Sequence, residues 1–171
     1  SYHVVCRDKD GNIKWEEEFP NLVNAVGKEL MLDTLLSGSS YTTVGPFLGL
    51  ISGASPTFAA ADTMSSHGGW TEFINYTVGG SAVRGTASFT SATSSGTTPS
   101  NVTTKSASAI TYTITGAGGT VGGCFLVTGS GAVSTQSSTA GTLYSAGAFS
   151  TAKVTTSGDT VSVDRKSTRL N

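Results

Sequence analysis

Short runs of strand-forming residues, separated by glycine and hydroxyl-bearing residues, recur along most of this chain. In the clearest run, Ile110, Tyr112 and Ile114 alternate with threonines. Successive side chains of a β-strand point to opposite faces, so this pattern predicts one apolar and one hydrated face. Other strand-like runs occupy residues 46–51, 70–76, 82–89, 121–127, 143–149 and 160–163, and Phe125 and Val127 repeat the alternation. Short strands at this spacing predict a mainly β fold, an antiparallel sandwich or jelly roll with one helix near the N-terminus.

The composition supports a packed β domain. Serine and threonine together contribute 52 of the 171 residues and glycine 22, yet 37% of the residues are hydrophobic. The length suits one domain, which we place at residues 1–163. A formal net charge of -1 gives no electrostatic footprint for nucleic acid or an acidic membrane. Cys6 and Cys124 can form one disulfide, but the sequence favours two reduced core thiols.

The first 36 residues predict a hairpin followed by a helix. Residues 2–6 and 13–19 are strand-like, and the Asp10-Gly11 pair between them is typical of a hairpin turn. Residues 21–36 predict the helix, with Asn21 or Asn24 as its cap and Gly38 as its left-handed stop. Its apolar residues predict a broad surface that packs against a sheet; these are Leu22, Val23, Val26, Leu30, Met31 and Leu35.

Two segments differ from the rest in composition. Residues 91–108 are polar and nearly featureless, which predicts a long surface loop or a flexible arm. The last eight residues, 164–171, carry Asp164, Arg165, Lys166 and Arg169 after a stretch that is almost free of charge. This octapeptide resembles the translation of a sequencing adapter, so we expect a non-native tail; without it the net charge is -3. A natural basic tail is the alternative.

Candidate chemical sites are few. Residues 8–12 resemble a calcium loop, but glycine is at the fourth position and Phe19 stands where a bidentate glutamate belongs, so a turn is favoured. His67 lies near Asp62 and Ser66, which suggests a triad, but a structural role beside Trp70 is favoured. We therefore expect no enzyme, no metal and no cofactor.

Seven segments that together span most of the chain form one further pattern: residues 8–15, 21–28, 32–42, 49–51, 61–72, 122–127 and 143–150. In this pattern the chain resembles a family of small structural proteins of tailed bacteriophages. In that family, a Gly-Asp-Thr segment runs into a complete strand, and here residues 158–163 begin such a strand before the adapter-like tail. The resemblance implies a virion protein that is assembled in the cytoplasm of a bacterial host.

Two positions in the virion fit this resemblance. A capsid cement or decoration protein is typically a compact β domain, and the one-domain length and the absence of a repeated shaft favour this function. Its partners would be the major capsid protein and copies of itself, as a dimer or trimer, with no nucleic acid and no membrane. The alternative is a tail appendage or fibre-tip protein that binds a host receptor or glycan, with Trp70 or Tyr76 exposed for sugar stacking. The candidate partner contacts are Tyr2, Trp15, Arg84, Asn101 and Lys105.

Overall fold

Two antiparallel β-sheets and one α-helix make up the part of the chain that the structure, a computed structural model, describes. That part comprises residues 1–42, 44–89, 93–95, 98–102 and 109–168, and only the backbone is described at 93–95, 98–102 and 165–168. The mainly β, sandwich-like fold that the alternating segments predict is confirmed.

The elements follow one another with short connections in the first quarter of the chain and longer loops after the helix. In chain order they are β1 (Tyr2–Arg7), β2 (Ile13–Phe19), β3 (Leu22–Val23), α1 (Ala25–Leu36), β4 (Phe47–Ser52), β5 (Thr71–Phe73), β6 (Tyr76–Thr77), β7 (Gly85–Thr86), β8 (Thr93–Ser95), β9 (Thr98–Val102), β10 (Ile110–Ile114), β11 (Gly119–Thr128), β12 (Thr142–Thr155) and β13 (Thr160–Thr168).

The strand order brings the two halves of the chain together. The first sheet runs β2-β1-β13-β10-β6, and β9 also pairs with β13 and with β8. The second sheet runs β3-β12-β11-β4-β5, and β7 also pairs with β4. All of these pairs are antiparallel. Strand β13 therefore lies between β1 and β10, although about 150 residues separate it from β1 in sequence.

The main core lies between the sheets. Alternate residues of β1 and β10, such as Tyr2, Val4 and Tyr112, point inward and pack against Leu50 and Cys124 of the second sheet. The other face of the second sheet is also covered, because a second apolar cluster forms there around Trp70 and Phe125. Strand β11 is consequently buried on both faces from Val121 to Thr128. The alternation predicted for residues 125–127 is wrong for that reason.

Both cysteines are free and buried, as the sequence favours. They belong to the core between the sheets, Cys6 on β1 and Cys124 on β11. Burial raises the pKa of Cys6 to about 11 and raises that of Cys124 as well. Both thiols are therefore protonated at neutral pH.

The N-terminal hairpin is confirmed, and the residues 8–12 form its turn. Asp8 accepts hydrogen bonds through Oδ1 from the backbone N–H groups of Asp10 and Asn12, at 2.9 Å each. Gly11 has a φ of 88°, which favours glycine. The carboxylate of Asp8 thus holds the turn itself, as expected of an Asx-type turn.

The helix begins four residues later than predicted. Residues 22 and 23 form β3, which pairs with Ala146 and Ser145 of β12, and α1 starts at Ala25. Asn24 stands at the cap position, but its side chain donates to the carbonyl oxygen of Ala59 instead of capping the helix. Pairing with a sheet edge thus overrides local helix propensity at residues 22 and 23. The predicted stop at Gly38 is confirmed by its φ of 69°.

The two compositionally distinct segments both contribute backbone to the first sheet. Strands β8 and β9 lie within residues 91–108, so the loop predicted there is wrong at 93–95 and 98–102; the remaining positions lie outside the described residues. Strand β13 continues past the predicted end at 163, because Asp164 and Arg165 pair with His3 and Tyr2 of β1. Backbone pairing needs no particular side chain, so the non-native origin of residues 164–171 stays a prediction. Leu170 lies outside the described residues.

Candidate binding surface

Two of the predicted partner contacts are buried inside the chain. Tyr2 is fully buried, and its hydroxyl forms a 3.1 Å hydrogen bond with the hydroxyl of Ser145. Arg84 is only 1% exposed and lies just before β7. Neither side chain lies where it could contact a partner.

Arg84 is buried because Glu72 accompanies it. The guanidinium donates to both carboxylate oxygens, Nε to Oε1 at 2.9 Å and Nη2 to Oε2 at 2.7 Å. It also donates to the carbonyl oxygens of Val133 and Ser138 and lies 5.1 Å from the centre of the Phe125 ring. A buried charge is tolerated when it is paired and fully hydrogen-bonded. Arg84 therefore fixes the loop between β11 and β12 to the second sheet.

The other three predicted contacts are not brought together. The Trp15 ring packs edge-on against Phe149 at 5.4 Å, and the ammonium of Lys153 lies 6.0 Å from its centre. Asn101 belongs to β9, where its backbone pairs with Ser167, but nothing is described of its side chain. Lys105 lies outside the described residues. Of these residues, the structure thus gives Trp15 an intramolecular role.

The aromatic rings proposed for sugar stacking are buried. Trp70 is 4% exposed and Tyr76 is 1% exposed, so the predicted exposed cleft is contradicted at both positions. His67 stacks on Trp70 with ring centres 3.8 Å apart, and its Nδ1 lies 3.0 Å from the carbonyl oxygen of Trp70. This is the structural role that the sequence favours for His67.

A shallow depression lies beside Trp70. It has a volume of about 280 Å³ and is lined by residues 52–56 and 68–71, none of which is charged. Within the described residues, no group of three His, Cys, Asp or Glu side chains could hold a metal ion.

Helix α1 is attached to the second sheet through its small and sulfur-containing residues. A side chain at Gly27 would place its Cβ 2.6 Å from the carbonyl oxygen of Tyr144, so only glycine allows this close approach. The Tyr144 hydroxyl donates to Met31 Sδ at 3.4 Å. At the start of the helix, the backbone N–H of Asn24 donates to the carbonyl oxygen of Tyr144, and the backbone N–H of Ala25 donates to the carbonyl oxygen of Ala60. One side of α1 is thus held firmly against β12.

The opposite side of α1 carries three leucines in solvent. Leu32, Leu35 and Leu36 are 57%, 74% and 80% exposed. Their spacing of three and four residues places them on one face. The prediction that Leu35 helps to bury the helix is therefore wrong. We call these three residues the leucine surface.

The sequence holds a signal for the leucine surface. Leucines occur at 30, 32, 35 and 36, which is more than one side of a 12-residue helix can bury. Gly27 lies opposite this surface and marks the side that touches β12. Read together, these positions indicate a helix that is apolar on both sides.

Comparisons with known proteins find no relative of this chain. No family model, curated protein or solved structure matches it. The helix in the described part of the chain, α1, has 12 residues and is too short to span a bilayer.

Proposed function

We propose that this chain is a structural protein of a tailed-bacteriophage virion and acts as a capsid cement or decoration protein. The leucine surface is the observation that carries the proposal. Water contact with leucines that are more than half exposed on an anchored helix raises the free energy of the protein. Burial of these leucines by a neighbouring subunit lowers it. A sequence resemblance to phage structural proteins gives the setting in which such a neighbour is a shell subunit or a sister copy.

The rest of the molecule supports a role in which the chain binds without changing shape. Two sheets with a continuous core support α1, and the buried Arg84–Glu72 pair fixes the loop before β12, the strand on which α1 rests. Pre-ordered binding surfaces lose little conformational entropy on association. A stiff β domain with one apolar face therefore suits repeated attachment to a rigid shell.

The test is to locate the chain in the particle that contains it. Cryo-electron microscopy of that particle is expected to show copies on the head, with α1 turned toward a shell subunit or a sister copy. Density confined to the tail tip would reject the cement function in favour of the tail alternative.

A matched variant links the location to the leucine surface. Leu32→Gln/Leu36→Gln keeps residues that favour helix, so the domain is expected to fold while its occupancy on heads falls by at least about tenfold. Ile13→Gln is the control, because Ile13 is also exposed, at 52%, but lies on the N-terminal hairpin. Equal occupancy of the two variants would contradict the role of the leucine surface.

A further inference from the structure

Two segments without a charged residue lie together at one end of the second sheet. Residues 74–83 follow β5, and residues 133–139 lie between β11 and β12. Strands β5 and β11 both run antiparallel to β4, so both end toward Phe47. Val83 forms a bridge with Thr135 that joins the two segments. We call residues 74–83 and 133–139 the uncharged end.

The uncharged end exposes apolar and hydroxyl groups. Ile74 is 48% exposed and Val133 is 38% exposed. Thr135, Ser137 and Thr139 are exposed as well. More than half of the charged residues of the chain lie elsewhere, on the hairpin and on α1. Because the cores of protein interfaces are depleted of charged residues, the composition of this end fits a contact with another protein.

The buried pair of Arg84 and Glu72 holds the uncharged end in one conformation. Arg84 donates to the carbonyl oxygens of Val133 and Ser138, and Glu72 Oε2 accepts from the backbone N–H of Ser137 at 2.8 Å. Ser137 has a φ of 60°, which residues other than glycine seldom adopt. Apolar residues can often replace a buried ion pair without loss of stability. The contacts of this pair therefore point to a role in the conformation of the loop.

The chemistry of the uncharged end selects one kind of partner. Nucleic acids and anionic lipids are bound through lysine and arginine, and neither residue occurs in these two segments. Sugar stacking needs an accessible aromatic ring, and the aromatic residue of these segments, Tyr76, is 1% exposed. Hydroxyl groups both donate and accept hydrogen bonds, so they can pair with the backbone groups of a protein.

We propose that the uncharged end docks on an uncharged face of another protein, and that Arg84 and Glu72 are positioning residues for this contact. The inference rests on the proposed function, in which that protein is a shell subunit. It adds a contact whose conformation is fixed before binding, so association orders little of the chain.

Added charge tests the contact. Ile74→Lys/Val133→Lys is expected to lower the occupancy of heads at least about tenfold, because the contact would bury unpaired charge. Thr111→Lys/Thr113→Lys is the matched control, since it adds the same charge at exposed positions on the outer face of β10. The control should stay within about twofold of the wild type. A lysine variant of the uncharged end that occupies heads as fully as the control overturns the proposal.

Removal of the buried pair tests the positioning role, because it changes no exposed residue. Arg84→Met/Glu72→Leu is expected to lower the occupancy about tenfold at a temperature at which urea unfolding shows it to be folded. Ser137→Gly is the control, because glycine adopts a φ of 60° readily and should keep the wild-type occupancy. Undiminished occupancy of the folded double variant overturns the positioning role.

Ionic strength tests the uncharged character of the contact. Salt screens interactions between charges, so binding to heads should not weaken between about 0.05 M and about 1 M NaCl. Release of the chain at high salt would overturn a contact between uncharged faces.

The outcomes separate the two proposals. Heads that carry the wild type and Ile74→Lys/Val133→Lys equally reject the uncharged end and leave the cement function standing. A wild-type chain that is absent from heads rejects the cement function and, with it, the shell subunit as partner.

Discussion

At the scale of single residues, the buried charges are the least predictable feature of the sequence. Arg84 and Glu72 are twelve positions apart, Glu72 on β5 and Arg84 just before β7, and their spacing in sequence does not indicate that they pair. Their side chains are 0% and 7% exposed, so the pair is desolvated, and its energy comes from hydrogen bonds that local sequence does not encode. Leu32 and Leu36 show the converse: their hydrophobicity predicts burial, and they are exposed.

Arg84→Met is expected to lower the free energy of unfolding by about 3–5 kcal/mol, because it leaves the carboxylate of Glu72 buried without its partner. Urea denaturation measures the change. In the double variant Arg84→Met/Glu72→Leu no unpaired charge remains, so its loss should be smaller than that of the single variant. A double variant that is less stable than Arg84→Met would contradict this account.

Asp159 predicts an acid-sensitive contribution to stability. Burial raises its pKa, but hydrogen bonds from Lys14 and Thr156 and the charge of Lys14 outweigh burial, so the pKa lies below its usual value. A group with a lowered folded pKa stabilises the fold above its unfolded pKa, and this stability is lost as the pH falls through the folded value. Its side chain is only 4% exposed.

We expect Asp159→Asn to flatten the fall in unfolding free energy below about pH 4, the region where an unfolded aspartate titrates. Urea denaturation at a series of pH values measures this slope. Asp10→Asn is the matched control, because Asp10 is exposed and, in the part of the chain that the structure describes, forms its ion pair with its neighbour Lys9. A slope that Asp159→Asn leaves as steep as the wild type would refute the assignment.

At the scale of elements, the sequence predicts what local geometry determines. The turn at 8–12, the stop at Gly38 and the alternation in β10 are all encoded by neighbouring residues, and all are confirmed. The start of α1 is not, because residues 22 and 23 pair with a strand more than 120 positions away. The exposed side of α1 is also missed, since the leucines indicate apolar residues on more than one side, and the contacts of Gly27 and Met31 with Tyr144 show which side faces the sheet.

Gly27→Ala is expected to destabilise the protein by about 1–3 kcal/mol, although alanine normally favours a helix over glycine. The new methyl group would meet the carbonyl oxygen of Tyr144 and push α1 away from β12. Gly68→Ala is the control, because an added Cβ there has no atom within 4 Å. Thermal unfolding that ranks Gly27→Ala above the wild type would show that the helix is not held at this point.

At the scale of the whole molecule, the order of strands is beyond local reasoning. The alternating segments predict that sheets form, but no turn signal tells that β13 inserts between β1 and β10. The pairing follows from the joint burial of Val4, Tyr112 and Val161, which is a property of the completed core. Architecture was therefore predictable and topology was not.

Removal of residues 164–171 tests how much β13 contributes beyond its core-facing part. Tyr2 and His3 would lose their backbone partners on β13 and keep those on β2, and β9 would lose all three of its paired residues on β13. Hydrogen exchange is expected to accelerate at residues 2–3 and 98–102, while the unfolding free energy falls by only about 1–3 kcal/mol. A chain shortened by residues 169–171 alone serves as the control. Unchanged exchange at residues 2–3 would contradict the pairing.

The central position of β13 also bears on how the protein is made. Ribosomes release β1 and β2 first, but the side of β1 that receives β13 stays open until residue 160 and beyond have left the exit tunnel. Closure of such distant segments is slow, and an open strand edge invites pairing with other chains in the meantime. The edge of β1 on each nascent chain therefore stays unpaired while residues 8–159 are synthesised.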